Sequence, residues 1–225
     1  YISSMLNITS PYPYKEFKRK SVGGKRLYEN PYGDPVPSVT TILSKTKDMT
    51  HLNAWKKRVG EKKAQEIVTE AAGVGSIMHA MLEAWSLNQE YTGQNMLQAK
   101  MMAETVIKNV EADIDEVWGS EVNLCYPGLY AGTTDLVGMY KGKPTIMDFK
   151  QTNKPKKREW IDDYFMQAAA YGMAHNEIFE TKIENAAIFM CSRDLDWQLF
   201  EVGPEEFKVW EEKWASKVAE FYNLS

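Results

Sequence analysis

Gly132-Thr133-Thr134-Asp135-Leu136-Val137-Gly138 and Ile146-Met147-Asp148-Phe149-Lys150 read as neighbouring β-strands joined by a turn at Lys141-Gly142. Side chains alternate along a strand, so Asp148 and Lys150 leave one face while Met147 and Phe149 point into apolar packing on the other. A two-residue loop at Lys141-Gly142 pairs Tyr140 with Lys143. Counting back then sets Asp135 opposite Asp148, with Cβ atoms roughly 4.5–5.5 Å apart. Lysine is not the usual first residue of such a turn, and a longer loop changes the register but not the spacing of Asp148 and Lys150. Two carboxylates this close need a proton or a cation between them, and hard oxygen ligands suit Mg²⁺ or Mn²⁺. The plainer alternative for an Asp-x-Lys pair is a solvated strand face with a weak ion pair.

Working outward, the 225 residues and 44% hydrophobic content suffice for a sizeable core. No run of 18 apolar residues occurs, and Tyr1-Ile2-Ser3-Ser4-Met5 lacks the pattern of a secretory signal. The expectation is a soluble protein without membrane contact, intracellular and cytoplasmic. Cys125 and Cys191 are too few for a disulfide framework, a four-cysteine zinc site or an iron-sulfur cluster, and read as small buried hydrophobes. The net charge of −4 gives no global argument for a polyanionic partner. Lys and Arg nevertheless cluster at Lys18-Arg19-Lys20, at Lys56-Lys57-Arg58 with Lys62-Lys63, and from Lys154 to Arg158. The first two clusters read as solvated faces.

The prolines of the first 37 residues and Asn30-Pro31-Tyr32-Gly33-Asp34 predict irregular segments and a small hairpin, and Ser38 is placed to cap a short helix through Leu43. Helical periodicity follows over 50–69 and 74–88. It returns over 95–118, where Leu97, Met101, Val106, Val110, Ile114 and Val117 form an apolar stripe that Gly119 ends. Strands are expected at 121–126, 130–140 and 144–150, then a helix at 159–178, strands near 184–191 and 196–202, and a last helix from Pro204 to about Tyr222. The order gives an α/β fold with an N-terminal helical elaboration. We read residues 1–225 as a single domain: elaboration over 1–70, core over 71–203 and C-terminal helix over 204–225.

On the helix at 74–88, Gly75, His79 and Glu83 are spaced by four and share a face, while Ile77, Met78, Met81, Leu82 and Trp85 cover the others. A buried histidine and glutamate need polar partners; the plain reading is a core histidine hydrogen-bonded to Glu83, and the two carboxylates elsewhere open imidazole ligation of a metal as the other. On the helix at 159–178, Gln167 and Tyr171 lie one turn apart, with Trp160 and Tyr164 further up the same side.

Gly75-Ser76-x-x-His79-x-x-x-Glu83, Gly132-x-x-Asp135, Asp148-x-Lys150 and Gln167-x-x-x-Tyr171, in this order, resemble the RecB-type branch of the PD-(D/E)XK nuclease superfamily. Pro37-Ser38-Val39-Thr40-Thr41-Ile42-Leu43 resembles a segment of the mitochondrial genome maintenance exonuclease group and its phage-borne relatives. The likeness covers roughly residues 35–200. The proline before the first acidic residue of the superfamily name is absent, and so are the cysteines of the iron-sulfur members.

The resemblance implies a restriction-endonuclease-like core, a mixed central sheet flanked by helices, and the catalytic core would be 71–203. It implies a metal-dependent DNA exonuclease of single-stranded or end-containing DNA in replication, recombination or repair, placed in the host cytoplasm if phage-borne. By the same likeness His79, Asp135, Asp148 and the Phe149 carbonyl bind Mg²⁺ or Mn²⁺. Lys150 orients the attacking water, and Gln167 and Tyr171 position the scissile phosphate. Glu83 and Glu121 stand as weaker candidates behind these. Lys154, Lys156, Lys157 and Arg158 are expected to grip phosphates, with Trp160 and Tyr164 stacking bases. Two other readings stay open: a structure-selective endonuclease on the same core, and a catalytically inactive DNA-binding module.

Overall fold

The computed structural model describes residues 5–224; residues 1–4 of the N-terminal elaboration and Ser225 lie outside the described residues. A small antiparallel sheet of β1 (Lys18–Val22), β2 (Lys25–Asn30) and β3 (Gly33–Val36) precedes four helices: α1 (Val39–Lys45), α2 (Thr50–Val59), α3 (Glu61–Ser86) and α4 (Leu97–Val110). Then come β4 (Ile114–Tyr126), β5 (Tyr130–Tyr140), β6 (Lys143–Thr152), α5 (Asp162–Phe179), β7 (Asn185–Ser192), β8 (Trp197–Val202) and α6 (Pro204–Leu224). The five later strands form one sheet in sequence order, in which β6 and β7 pair in parallel and every other pair is antiparallel. The expected mixed central sheet flanked by helices is therefore present.

A parallel pair needs a crossover, and α5 supplies it. Strands covered on both faces lose the polar alternation of half-exposed ones. Ile146 of β6 with Ile188 and Met190 of β7 packs against α1, α5 and α6. Met147 and Phe149 with Ala187, Phe189 and Cys191 pack against α3 and α4. Both cysteines are free and buried, as expected. The alanines of α5 let it lie close to the sheet, and Gly172 lets α6 approach: a Cβ there would stand 2.6 Å from Phe207.

The turn forms as the short-loop reading requires. Tyr140 pairs with Lys143, and Lys141 (φ +50°) and Gly142 (φ +76°) are both left-handed, as a type I′ turn demands. Lysine is tolerated there because the turn is tied down from β4's side. The Lys141 N–H donates to the Asp113 carbonyl at 2.8 Å and the Gly142 N–H to Asp115 Oδ2 at 2.7 Å. Ser38 caps α1 by accepting from the Thr41 N–H at 3.0 Å.

Two boundaries differ from the sequence reading. The helix expected over 95–118 stops at Val110, and Ile114–Tyr126 is a 13-residue strand. Ile114 and Val117 are buried as strand residues, and Gly119 sits at a register irregularity inside the strand instead of ending a helix. Pairing with the long β5 overrides a local apolar period of the helical kind. Leu97 and Met101, assigned to the stripe, are exposed. The break expected near 70–73 falls instead at Gly60 (φ +88°), and α3 runs unbroken for 26 residues through Gly73. Among the described residues no helix is long and apolar enough to cross a membrane.

One buried polar cluster links the N-terminal segment to α5. His175 is fully buried; its Nε2 meets the Tyr14 hydroxyl at 2.8 Å and its Nδ1 the Thr181 hydroxyl at 2.7 Å, among Tyr12, Trp118 and Phe179. Burial lowers its pKa from 6.5 to about 4. Between these values the unfolded chain binds the proton and the folded one does not, so the stability present above pH 6.5 is lost as pH falls toward 4. We expect a loss on the order of 3 kcal/mol from this group. Urea midpoints measured against pH should show it in the wild type and lack it in His175→Gln.

Candidate active site

The carboxylates of the opening stretch meet where two strands stop pairing. The β5–β6 ladder ends at Leu136 opposite Met147, and one step further Asp135 faces Asp148 as the register predicts. The Phe149 N–H donates to Asp135 Oδ2 at 2.8 Å, so a side chain takes the place that a strand carbonyl would fill. The neighbouring strand pair also changes face here. Ser120 accepts a hydrogen bond from Ser86 of α3, whereas Val122 and Leu124 pack on the α5 side. The change falls at Glu121, whose φ is +50°. Asp135, its neighbour across the ladder, is thereby reached from α3 and from β6 together.

From α3, His79 Nε2 lies 3.3 Å from Asp135 Oδ2, and Nδ1 lies 2.8 Å from the Gly75 carbonyl. A carbonyl only accepts, so Nδ1 carries a hydrogen and Nε2 faces the acids. From β6, Lys150 Nζ lies 2.9 Å from Asp148 Oδ2, donates to Gln167 Oε1 at 3.1 Å and stands 4.4 Å over the Tyr164 ring. The Lys150–Asp148 contact lacks hydrogen-bond alignment, which leaves Asp148 Oδ2 buried with no hydrogen-bond partner. From α5, Gln167 Nε2 donates to the Tyr171 hydroxyl at 3.1 Å. Gly132 makes room for that ring, since a Cβ there would stand 2.7 Å from Tyr171 Cε1.

Electrostatics separates the two acids. Burial, together with the charge and hydrogen bond of Asp135, pushes Asp148 up to about 8 against the pull of Lys150. Burial acts the same way on Asp135, yet the hydrogen bonds of Asp148 and His79 and the charges of His79 and Lys150 hold it well below the usual carboxylate range. Burial disfavours the charged His79 ring, but Asp135, the Gly75 carbonyl and Asp148 outweigh it and raise His79 to about 9. Lys150 is raised as well: Asp148, Asp135 and Tyr164 outweigh its burial. Glu121, an exposed residue, is raised to about 7 by burial of its carboxyl end and by the charges of Asp135 and Glu83.

Among the described residues no group of three or more His, Cys, Asp or Glu is gathered as a formed metal centre. The donors nevertheless suit a hard divalent cation. Two carboxylates and an outward-facing imidazole nitrogen converge, and a buried Asp148 oxygen lacks a hydrogen bond.

The basic loop after β6 behaves unevenly. Lys154 and Lys157 are exposed, Lys157 lying 5.4 Å from the centre of the Trp160 ring, which is 62% exposed. Lys156 is held through its backbone by Gln198 of β8. Arg158, expected to grip phosphate, pairs with Glu206 of α6 at 2.6 Å and donates to the Glu201 carbonyl at 2.9 Å at an exposed position. Trp160 lies in a 3-10 turn before α5, while Tyr164 sits under Lys150 rather than out on the surface. The cleft beside Lys150, about 240 Å³, is lined also by Thr40, Ser44 and Lys47, which sequence reasoning did not single out. Thr40 belongs to the Pro37–Leu43 segment, and Ser44 and Lys47 follow just beyond it.

No family model matches the chain. It is 27% identical over 172 residues to mitochondrial genome maintenance exonuclease 1 of Xenopus tropicalis and 26% identical over 175 residues to that of Homo sapiens. Each match takes in 71% of this chain, and the chain spans about half the length of these curated relatives, 49% and 50%. A solved structure from Eubacterium rectale named "Putative exonuclease" aligns at TM-score 0.44 and 18% identity, over 68% of this chain and 67% of that one. The sequence matches bear out the resemblance to the PD-(D/E)XK nucleases.

Two predictions follow from the geometry. Because Asp148 is held protonated, Asp148→Asn in EDTA at pH 7 should stay within about 1 kcal/mol of the wild type or exceed it in urea unfolding. Gly132→Ala forces the Tyr171 ring aside and should cost about 1–3 kcal/mol in the same measurement.

Proposed function

We propose that this chain is a metal-dependent deoxyribonuclease, an exonuclease hydrolysing phosphodiester bonds of single-stranded or end-containing DNA during replication, recombination or repair. The observation that carries this reading is the convergence of Asp135, Asp148 and Lys150 with His79 at the point where β5 and β6 separate. The name exonuclease borne by its relatives supports it.

His79 Nε2, Asp135, Asp148 and the Phe149 carbonyl would hold Mg²⁺ or Mn²⁺, and the ion when bound supplies Lewis acidity to the phosphodiester. The Gly75 carbonyl holds the Nδ1–H of His79, so Nε2 is the atom that would ligate once its proton is displaced. Lys150 brings fixed positive charge to where negative charge grows during attack, and orients the attacking water. Its ammonium is already aimed by Asp148, Gln167 and the Tyr164 ring, so little reorganisation accompanies reaction. Lysine can only donate, which sets the Gln167 amide with Oε1 toward it and Nε2 toward Tyr171. The Tyr171 oxygen therefore accepts from Gln167 and keeps its own O–H to donate to a phosphate oxygen. Burial, Asp148 and Asp135 keep Tyr171 a neutral phenol, with its pKa raised well above 10.0.

The test is digestion of end-labelled linear single-stranded DNA beside a closed single-stranded circle, in Mg²⁺, Mn²⁺ or EDTA. Metal-dependent loss of the linear strand alone is expected. Lys150→Ala and Asp148→Ala should lower that rate by about 10²–10³-fold or more with the fold retained by circular dichroism. A wild-type rate in either variant overturns the site assignment, and cutting of the circle replaces exonuclease by endonuclease.

A further inference from the structure

The hairpin of β1 and β2 carries five cations, Lys18, Arg19, Lys20, Lys25 and Arg26, and its register sorts them. Arg19 stands opposite Tyr28 and Ser21 opposite Arg26; these pairs are two apart and share a face. The Lys18–Glu29, Lys20–Leu27 and Val22–Lys25 pairs occupy the other face. The Arg19 face is the one turned to the catalytic cleft. Tyr28 is 5% exposed, and its hydroxyl lies 3.4 Å from Thr133 Oγ1, two residues from Asp135. Arg19 Nε donates to the same hydroxyl at 3.4 Å, with the guanidinium carbon 5.5 Å from the ring centre.

A cleft of about 110 Å³ joins Arg19 and Tyr28 to Thr40, Thr133, Gln167 and Tyr171, and a smaller one of about 60 Å³ beside it adds Arg26 and Thr41. A polar path therefore leads from the residues beside Lys150, past the hydroxyls of α1, to two guanidinium groups. Neither arginine forms an ion pair among the described residues, whereas Lys47, Lys141, Arg158, Arg193 and Lys217 each do. Arg19 uses only Nε on Tyr28, and this leaves its terminal N–H fork for a bidentate anion. A cleft rich in carboxylates repels a polyanion, so strand binding needs cations flanking the acids.

We propose that Arg19 and Arg26 form a phosphate clamp for a single DNA strand, gripping the backbone on the side of α1 away from Lys150. The proposal rests on the nuclease reading and adds to it a binding subsite outside the catalytic residues. Tyr28 positions Arg19, and Thr40 offers its hydroxyl to the strand between the clamp and the scissile phosphate.

The test is binding of a labelled oligothymidylate in EDTA, followed by anisotropy at several salt concentrations. Arg19→Gln/Arg26→Gln should weaken binding roughly tenfold or more and reduce the salt slope by about 1.4, from 0.7 per lost phosphate contact on a single strand. Lys18→Gln/Lys20→Gln makes the same charge change on the opposite face and should alter binding by about threefold at most. Equal losses in the two double variants, or none in the first, overturn the clamp. A larger loss on duplex DNA than on the single strand overturns the choice of ligand. Should the first variant unfold, Arg26→Gln alone, at an exposed position, should still show about half the slope change. Binding is read without cleavage, so failure of the nuclease reading leaves this result standing.

Discussion

The hydrogen bond from the Phe149 N–H to Asp135 Oδ2 is the point around which the molecule is arranged. Below it β5 and β6 are an ordinary antiparallel pair; beyond it β6 continues only with β7. A strand N–H has to find an acceptor, and here the acceptor is a carboxylate. That substitution brings Asp135 beside Asp148 in a place largely closed to water, where like charges are expensive. A shared proton, His79 and Lys150 offset the cost. Each of these is also a group that phosphodiester chemistry can use.

Such a concentration of buried charge persists only where its surroundings leave it no room to relax. Two apolar layers clamp the β6–β7 pair from either side, one built from α1, α5 and α6 and the other from α3 and α4. His79 arrives from one layer, Gln167 and Tyr171 from the other, and the acids lie in the sheet between them. Small residues set the distances. Gly132 admits the Tyr171 ring, and Gly172 admits α6 behind it. The left-handed backbone of Glu121 turns the strand pair at the level of Asp135. The most strained non-glycine residue near the site thus coincides with the place where access from both layers is needed.

Charge outside the site is distributed by the same logic. The net charge of −4 does not say which cations are paired; the tertiary contacts do. Arg158, in the most conspicuous basic run by sequence, makes an exposed ion pair with Glu206 and donates to a β8 carbonyl. Arg19 belonged to a basic cluster read as a solvated face and Arg26 to none, and strand alternation puts the two on one face of the hairpin. Linear clustering of charge does not by itself tell which cations are paired, because pairing depends on neighbours distant in the chain.

Local rules determined a good deal. The Asp-x-Lys alternation, the Lys141-Gly142 turn that sets Asp135 against Asp148, the Ser38 cap and the four-residue spacings of His79 and of Gln167 with Tyr171 all follow from strand and helix periods. Those periods are properties of a few neighbouring residues and survive in the folded chain. The end of α4 at Val110, the unbroken α3 and the fate of Arg158 followed no local rule. Ile114 and Val117 fit a helix stripe as well as a strand, and only pairing with β5 decided between them. Gly73 and Gly60 are equal as residues, yet the break falls at Gly60, φ +88°, while Gly73 stays within α3. What the tertiary structure alone decided is which groups meet across elements, because burial, pairing and the cost of an unpaired charge are set by residues far apart in sequence.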